Sequence, residues 1–279
     1  MKIGIITYHC SNNYGAQLQA YATCHFLQKM GHEAEVIDCN TIGVGPIFMW
    51  SLESLRAIFG SIRNNFLSLV SERKRYRLFN EFSRNMIGLS KPCYTKVELD
   101  KACKNYDYII TGSDQVWHPM ICEGNTRFFL DLPIPDNRKI AYAPSFGVSE
   151  YSKEEVDEYM PMISKIGHLS VREESGRRMI KKYTGRDAKI VVDPTMLLTR
   201  ADWDKILIPA KYQKYLFYFT ILDEPNGTDE LVRKIAQEKG LEIVRIGTVR
   251  DIMKRGFINA RANGCLLYTS PSPRDKRQS

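Results

Sequence analysis

Three short polar runs carry the residue types that could do chemistry. The first is Ser11-Asn12-Asn13-Tyr14-Gly15-Ala16-Gln17, set just ahead of a helical pattern. A helix start presents unpaired N–H groups and a partial positive charge, and a glycine lets a ligand approach the backbone. Asn12, Asn13, Tyr14, Gly15 and Gln17 therefore suit an anionic or hydroxyl-rich ligand. The same residues also describe an N-cap by Asn12 or Asn13, with Gly15 serving the turn. In the second run, Thr111-Gly112-Ser113-Asp114-Gln115-Val116-Trp117, the side chains of Ser113, Asp114 and Gln115 offer a hydroxyl, a carboxylate and an amide beside Gly112. They could hydrogen-bond sugar hydroxyls or supply a base; the alternative is a helix cap by Ser113 or Asp114 with Trp117 in the core. The third run, Ser170-Val171-Arg172-Glu173-Glu174-Ser175, contributes Arg172, whose planar donor fork matches a carboxylate or phosphate. Its alternative is an ion pair with Glu173 or Asp193. Asp193-Pro194-Thr195 reads as a capped turn with Pro194 fixing φ.

Other chemistries find no support in the residue pattern. The five histidines have no His or Glu partner at metal-ligand spacing, and the seven cysteines form no C-x-x-C pair. No metal site and no disulfide framework is expected. A Gly-x-Ser-x-Gly elbow is also missing. The net charge of +8 is moderate and partly contributed by the last residues, so it does not point to nucleic acid. The opening MKIGIITYHCSNNYG has too short an apolar run for a secretion signal, and nowhere do eighteen apolar residues run together. A cytoplasmic protein with reduced thiols is expected.

The elements that must position these runs are legible from periodicity. Residues 2–7 (KIGIIT) read as a buried strand, 16–30 as a helix stopped by Gly31, and 35–38 as a second strand. Further strands are expected at 106–114, 139–147, the start of 168–176, and 189–197, with a helix at 154–166. Strands separated by helices at this cadence predict a doubly wound parallel sheet of Rossmann-like kind, with the polar runs at its carboxyl edge. This domain is expected to span 1–204. Alternation restarts with 215–222, a helix at 228–239 and a strand at 241–247, so a second α/β domain should begin near 205 and stop unfinished at 264. Residues 46–85 form a basic helical excursion with an apolar stripe. Such a stretch can lie on an anionic membrane, which makes peripheral membrane association one expectation, or form the solvated face of a helix packed on its own domain.

Taken together and in order, SNNYGAQLQAYA, YDYIITGSDQVW, KIAYAPSFG with SVREESG, and VVDPTMLL resemble the polysaccharide pyruvyl transferase family. The resemblance covers most of the chain to about residue 247. It implies a fold similar to GT-B glycosyltransferases and phosphoenolpyruvate as the donor. The implied acceptor is a sugar or glycan, lipid-linked in some settings, which receives a pyruvate ketal; no metal or organic cofactor is implied. Members carry a His-Gly motif and further basic residues in the C-terminal domain that have no counterpart before Gly264, so the catalytic acid is expected beyond it. Two other functions remain open: a nucleotide-sugar glycosyltransferase of the same architecture, and a non-catalytic glycan- or phosphosugar-binding module.

Residues 265–275, CLLYTSPSPRD, break abruptly from what precedes them and read as one reading-frame translation of a sequencing adapter. Residues 265–279 are accordingly expected to be a non-native tail, with the natural chain continuing past Gly264 and the present one an inactive fragment.

Overall fold

The computed structural model describes residues 1–9, 13–39, 73–122, 125–207, 212–220, 225–246 and 256–259. Two compact units divide the chain: Met1–Gly43 with Asn80–Arg200, and Val44–Phe79 with Ala201–Ser279. Of the basic excursion expected over 46–85, residues 46–72 lie outside the described residues. Within the described part, 73–82 are helical and Ser83–Ile87 form a π-helical turn. The expected tail at 265–279 also lies outside the described residues.

The first unit is built on a six-stranded sheet in which every pairing is parallel: β1 (Lys2–Ile6), β2 (Glu33–Val36), β3 (Tyr108–Thr111), β4 (Lys139–Ala141), β5 (His168–Val171) and β6 (Lys189–Ile190). The order across it is β2-β1-β3-β4-β5-β6. The expected parallel α/β architecture is thus present. Beyond Lys2, strand β1 has no polar side chain because a parallel sheet is covered on both faces, and Ile5 and Ile6 are fully buried. Chain direction across the sheet reverses between β1 and β3, since β2 lies on one side of β1 and all later strands on the other. Open sheets of this kind form their ligand crevice outside the carboxyl ends of the strands at that reversal.

Several strands end earlier than their apolar runs suggest, and the backbone says why. Strand β3 stops at Thr111 because Gly112 turns the chain and Asp114 takes φ 81°. Strand β4 is limited to three residues by Ala143 at φ 54°, and β6 to two, ahead of a 3-10 turn at Pro194–Met196. The first helix, α1 (Tyr14–Lys29), starts two residues earlier than its apolar spacing implies because Asn13 caps it, accepting from the N–H groups of Gly15 and Ala16. Helices α2 (Lys96–Cys103) and α3 (Lys153–Ser164) each open with a capping box, Thr95 with Glu98 and Ser152 with Glu155. Helix α4 (Glu174–Thr184) follows β5 and ends on Gly185 in the left-handed region. Beneath the sheet's rim sits an aromatic core in which Trp117, Phe129 and Phe146 are fully buried.

The second unit carries a parallel sheet of β7 (Tyr215–Phe219), β8 (Glu242–Ile246) and β9 (Ile258–Asn259) with helix α5 (Thr228–Lys239). Its small core joins Tyr218, Val232, Ala236 and Ile243. Buried Arg245 donates to Asp229 at 2.8 Å. Among the described residues no helix is long and apolar enough to cross a membrane.

Candidate functional site

The carboxyl rim of the six-stranded sheet gathers the polar groups, and Asp193 is the residue on which they meet. Ser113 Oγ, from the loop after β3, donates to Asp193 Oδ2 at 2.9 Å, and Arg172 Nη1, just past β5, donates to the same oxygen at 3.1 Å. The other oxygen, Oδ1, accepts from Thr195 N at 2.9 Å and Thr195 Oγ1 at 2.7 Å. Burial alone would push the Asp193 carboxyl up, but the hydrogen bonds from Thr195, Ser113 and Arg172 outweigh it and hold the group below the usual range. Asp193 is therefore a carboxylate at neutral pH with both oxygens occupied. The Pro194–Met196 turn that follows it packs against α1, which brings the first polar run to the same rim.

All but one of the expected ligand residues fall within the described residues. Asn12 lies outside the described residues. Asn13 is spent as the α1 cap, with Oδ1 accepting from Gly15 N at 2.8 Å. Tyr14 is buried. Gln17 is fully buried and turned inward: Nε2 donates to the His9 carbonyl and Oε1 accepts from Ser83 Oγ at 2.7 Å. One turn into α1, its amide is thus engaged by the His9 carbonyl and by Ser83. Gly112 is needed for close approach, because a Cβ there would stand 2.9 Å from the Cβ of Thr7 on the neighbouring strand's extension. Ser113 is itself fully buried and serves Asp193 instead of solvent. Gln115 folds against Gly147, where an added Cβ would come within 3.1 Å of its Nε2.

Arg172 shares the Asp193 carboxylate. Its guanidinium is bonded to Asp193 and lies 3.9 Å from Glu173, with a third of the side chain exposed. The ion pair offered as its alternative is present, and the positive charge is largely balanced. Nη2 has no protein partner among the described residues, so one edge of the fork can still reach a ligand anion.

Asp114 is a further ionisable group on this rim. Its positive φ is a conformation that costs a non-glycine residue on the order of 1–3 kcal/mol. It is held by Ser145 N donating to the Asp114 carbonyl at 2.8 Å and by a parallel bridge to Pro144. Oδ1 accepts from Gln115 N at 2.8 Å, whereas Oδ2 takes no hydrogen bond from the described residues and is not sealed from solvent. Burial raises the carboxyl's pKa above its ordinary 3.8, opposed by the Gln115 N–H and Arg172 and aided by Asp193. A raised folded pKa means the ionised form costs stability at neutral pH, and that the cost vanishes below the unfolded value. Asp114→Asn is thus expected to raise the Tm at pH 7, with the gain closing as pH falls below about 4. Thermal scans at both pH values check this; a lower Tm at pH 7 contradicts it.

Sequence spacing gave no hint of two supports. Glu173 reaches back to the loop after β4, accepting from Ser145 Oγ at 2.7 Å and Phe146 N at 3.1 Å. Buried His9 sits past β1 with Nδ1 3.0 Å from the Thr7 carbonyl and Nε2 3.1 Å from Asp38 Oδ1, tying the ends of β1 and β2 together. Partners 28 and 29 residues apart leave no local motif. A cavity of about 260 Å³ lies at the opposite, amino end of β4, among Asp131, Asp136, Lys139 and Lys165. Because the reversal point and the converging side chains are at the other edge, the rim is the stronger candidate.

Known proteins place this chain in context. Two solved structures cover much of it at low similarity. The E. coli heptosyltransferase WaaC with ADP is 14% identical with a TM-score of 0.33, over 88% of this chain and 67% of that one. The Streptomyces sp. SF2575 glycosyltransferase SsfS6 is 13% identical with a TM-score of 0.30, over 94% of this chain and 73% of that one. No curated protein matches. The family model described as polysaccharide pyruvyl transferase matches residues 13–277, nearly the whole length, and the chain belongs to that family.

Proposed function

We propose that this protein transfers a pyruvyl group from phosphoenolpyruvate to a pair of hydroxyls on a sugar of a polysaccharide or glycolipid precursor, forming a pyruvate ketal. The observation carrying this reading is the family match across residues 13–277, and the rim is compatible with it. A donor bearing a carboxylate and a phosphate would meet the open edge of Arg172, and sugar hydroxyls would meet Asp114 Oδ2 and neighbouring backbone groups. We place the reaction in the cytoplasm, with no metal or organic cofactor.

The chemistry requires a proton at the enol carbon, attack by one hydroxyl, loss of phosphate and closure by the second hydroxyl. Titration of the full-length protein with phosphoenolpyruvate, followed by phosphate release in the presence of methyl galactoside, glucoside and mannoside, tests the reading. Saturable donor use is expected, with a KM on the order of 1 μM to 1 mM. Binding of a nucleotide diphosphate with no response to phosphoenolpyruvate would overturn it in favour of glycosyl transfer.

A further inference from the structure

We propose that the cavity at the amino end of β4 is a binding site for a small zwitterion, a free α-amino acid with an apolar side chain. The site is separate from the rim and does not depend on the pyruvyl-transfer reading. Its volume is about 260 Å³, and it lies wholly within the first unit. A water occupies roughly 30 Å³, so the space holds several, yet it falls short of the roughly 300–1,000 Å³ of a drug-sized pocket. A small metabolite suits that size. Three pieces of chain surround it: residues 130–132 after the 3-10 turn Thr126–Phe129, the Asp136–Arg138 turn that leads into β4, and the end of α3.

The charged groups lining it are of both signs, and only some of them are matched. The Lys139 side chain is 6% exposed, and its ammonium has one partner among the described residues, Asp136 Oδ1 at 2.9 Å. An ammonium carries three N–H donors, so a buried one leaves two for whatever fills the cavity. Lys165 lines the same space with no side-chain partner among the described residues, and no ion pair there joins it to Asp131. The Asp131 carboxylate accepts from Thr126 Oγ1 at a long 3.5 Å and from no other described residue. Lys139 and Asp136 thus neutralise each other, and one unmatched cation and one unmatched anion remain around a single cavity.

That balance selects the ligand class. A lone anion such as phosphate would gain two ammonium groups but stand beside two carboxylates, and a metal cation would meet the reverse. A molecule with a carboxylate and an ammonium a short distance apart satisfies both signs: its carboxylate accepts from Lys139 and Lys165, and its ammonium donates to Asp131. Leu130 and Leu132 are buried and Met162 is half-buried, and all three line the cavity, so an apolar side chain has a surface to cover. The flexible thioether of Met162 adapts that surface to an irregular shape. An aliphatic amino acid uses all of these groups, whereas glycine leaves the apolar ones uncovered.

Isothermal titration of the full-length protein with L-leucine, L-methionine, glycine, 4-methylpentanoate, isopentylamine and inorganic phosphate tests the site. Leucine and methionine are expected to saturate it with a Kd between about 1 μM and 1 mM, and glycine to bind roughly tenfold more weakly or worse. 4-Methylpentanoate lacks the ammonium and isopentylamine the carboxylate, so each should lose about tenfold or more against leucine, the effect of one missing charged hydrogen bond. Lys165 and Asp131 are exposed, so Lys165→Gln and Asp131→Asn should fold, and Tm verifies this. Lys165→Gln is expected to weaken leucine about tenfold and leave isopentylamine unchanged, while Asp131→Asn weakens leucine by a similar factor and leaves 4-methylpentanoate unchanged. Phosphate or 4-methylpentanoate binding as tightly as leucine overturns the zwitterion in favour of a plain anion site. Leucine affinity within about twofold of wild type in both variants overturns the placement. If none of the three amino acids saturates the wild type, the cavity holds water alone and the proposal falls. None of these titrations contains phosphoenolpyruvate, so pyruvyl transfer stands or falls separately.

Discussion

Trp117→Ala is expected to cost roughly 3–5 kcal/mol of folding free energy, the largest stability loss of any single change considered for this chain. Trp117 has no exposed surface. Its ring lies parallel to Phe129 with centroids 6.1 Å apart and meets Phe146 edge-on at 5.1 Å, and Phe129 in turn stacks on Tyr159 at 4.4 Å. Truncation would leave an aromatic-sized void that rings fixed on three sides cannot collapse to fill. One polar atom would suffer as well: the Phe128 carbonyl, which accepts from Trp117 Nε1 at 2.9 Å, loses that donor in the variant. Urea denaturation followed by far-UV circular dichroism gives the number directly, and a loss under about 1 kcal/mol would show the aromatic layer to be loosely packed. Trp117→Phe keeps ring contact and loses the N–H, so it should cost about 1–2 kcal/mol.

Why the architecture is readable while the site is only half so follows from the range of the forces involved. A strand buried on both faces reads as a nearly continuous apolar run, so the isoleucine-rich KIGII and YIIT declare themselves, and strand-helix alternation makes the sheet parallel. Placing the polar runs at the carboxyl edge follows from that alone. Strand ends are another matter. Asp114 and Ala143 adopt positive φ because of what grips them across the sheet, which no local propensity announces. Gln17 shows the same limit in reverse: helical spacing locates it near the rim, but whether its amide turns outward depends on the His9 carbonyl and Ser83, 8 and 66 residues away. Asp193 is the clearest instance. Its Oδ1 performs the local cap on Thr195 that Asp-Pro-Thr predicts, while Oδ2 joins Ser113 and Arg172 from 80 and 21 residues off. Only the first half of that role is written in neighbouring residues.

Asp193→Ala is the second change with a large expected effect. The alanine would strip the partner from Ser113 Oγ, which is fully buried, and from Arg172, whose charge would then stand beside Glu173 alone. It would also remove the cap from the Pro194–Met196 turn that packs on α1. Deleting one member of a part-buried ion pair leaves the other desolvated, and the added loss of the cap brings the expected cost to roughly 2–4 kcal/mol. Asp193→Asn retains the cap and an acceptor for Ser113, so it should cost about half as much. The pH dependence has a definite sign. Because the folded pKa of Asp193 is depressed, its contribution is complete above the unfolded value near 3.8 and is lost as pH falls through the folded pKa. The difference in stability between wild type and Asp193→Ala should therefore be constant from pH 5 to 8 and shrink in acid.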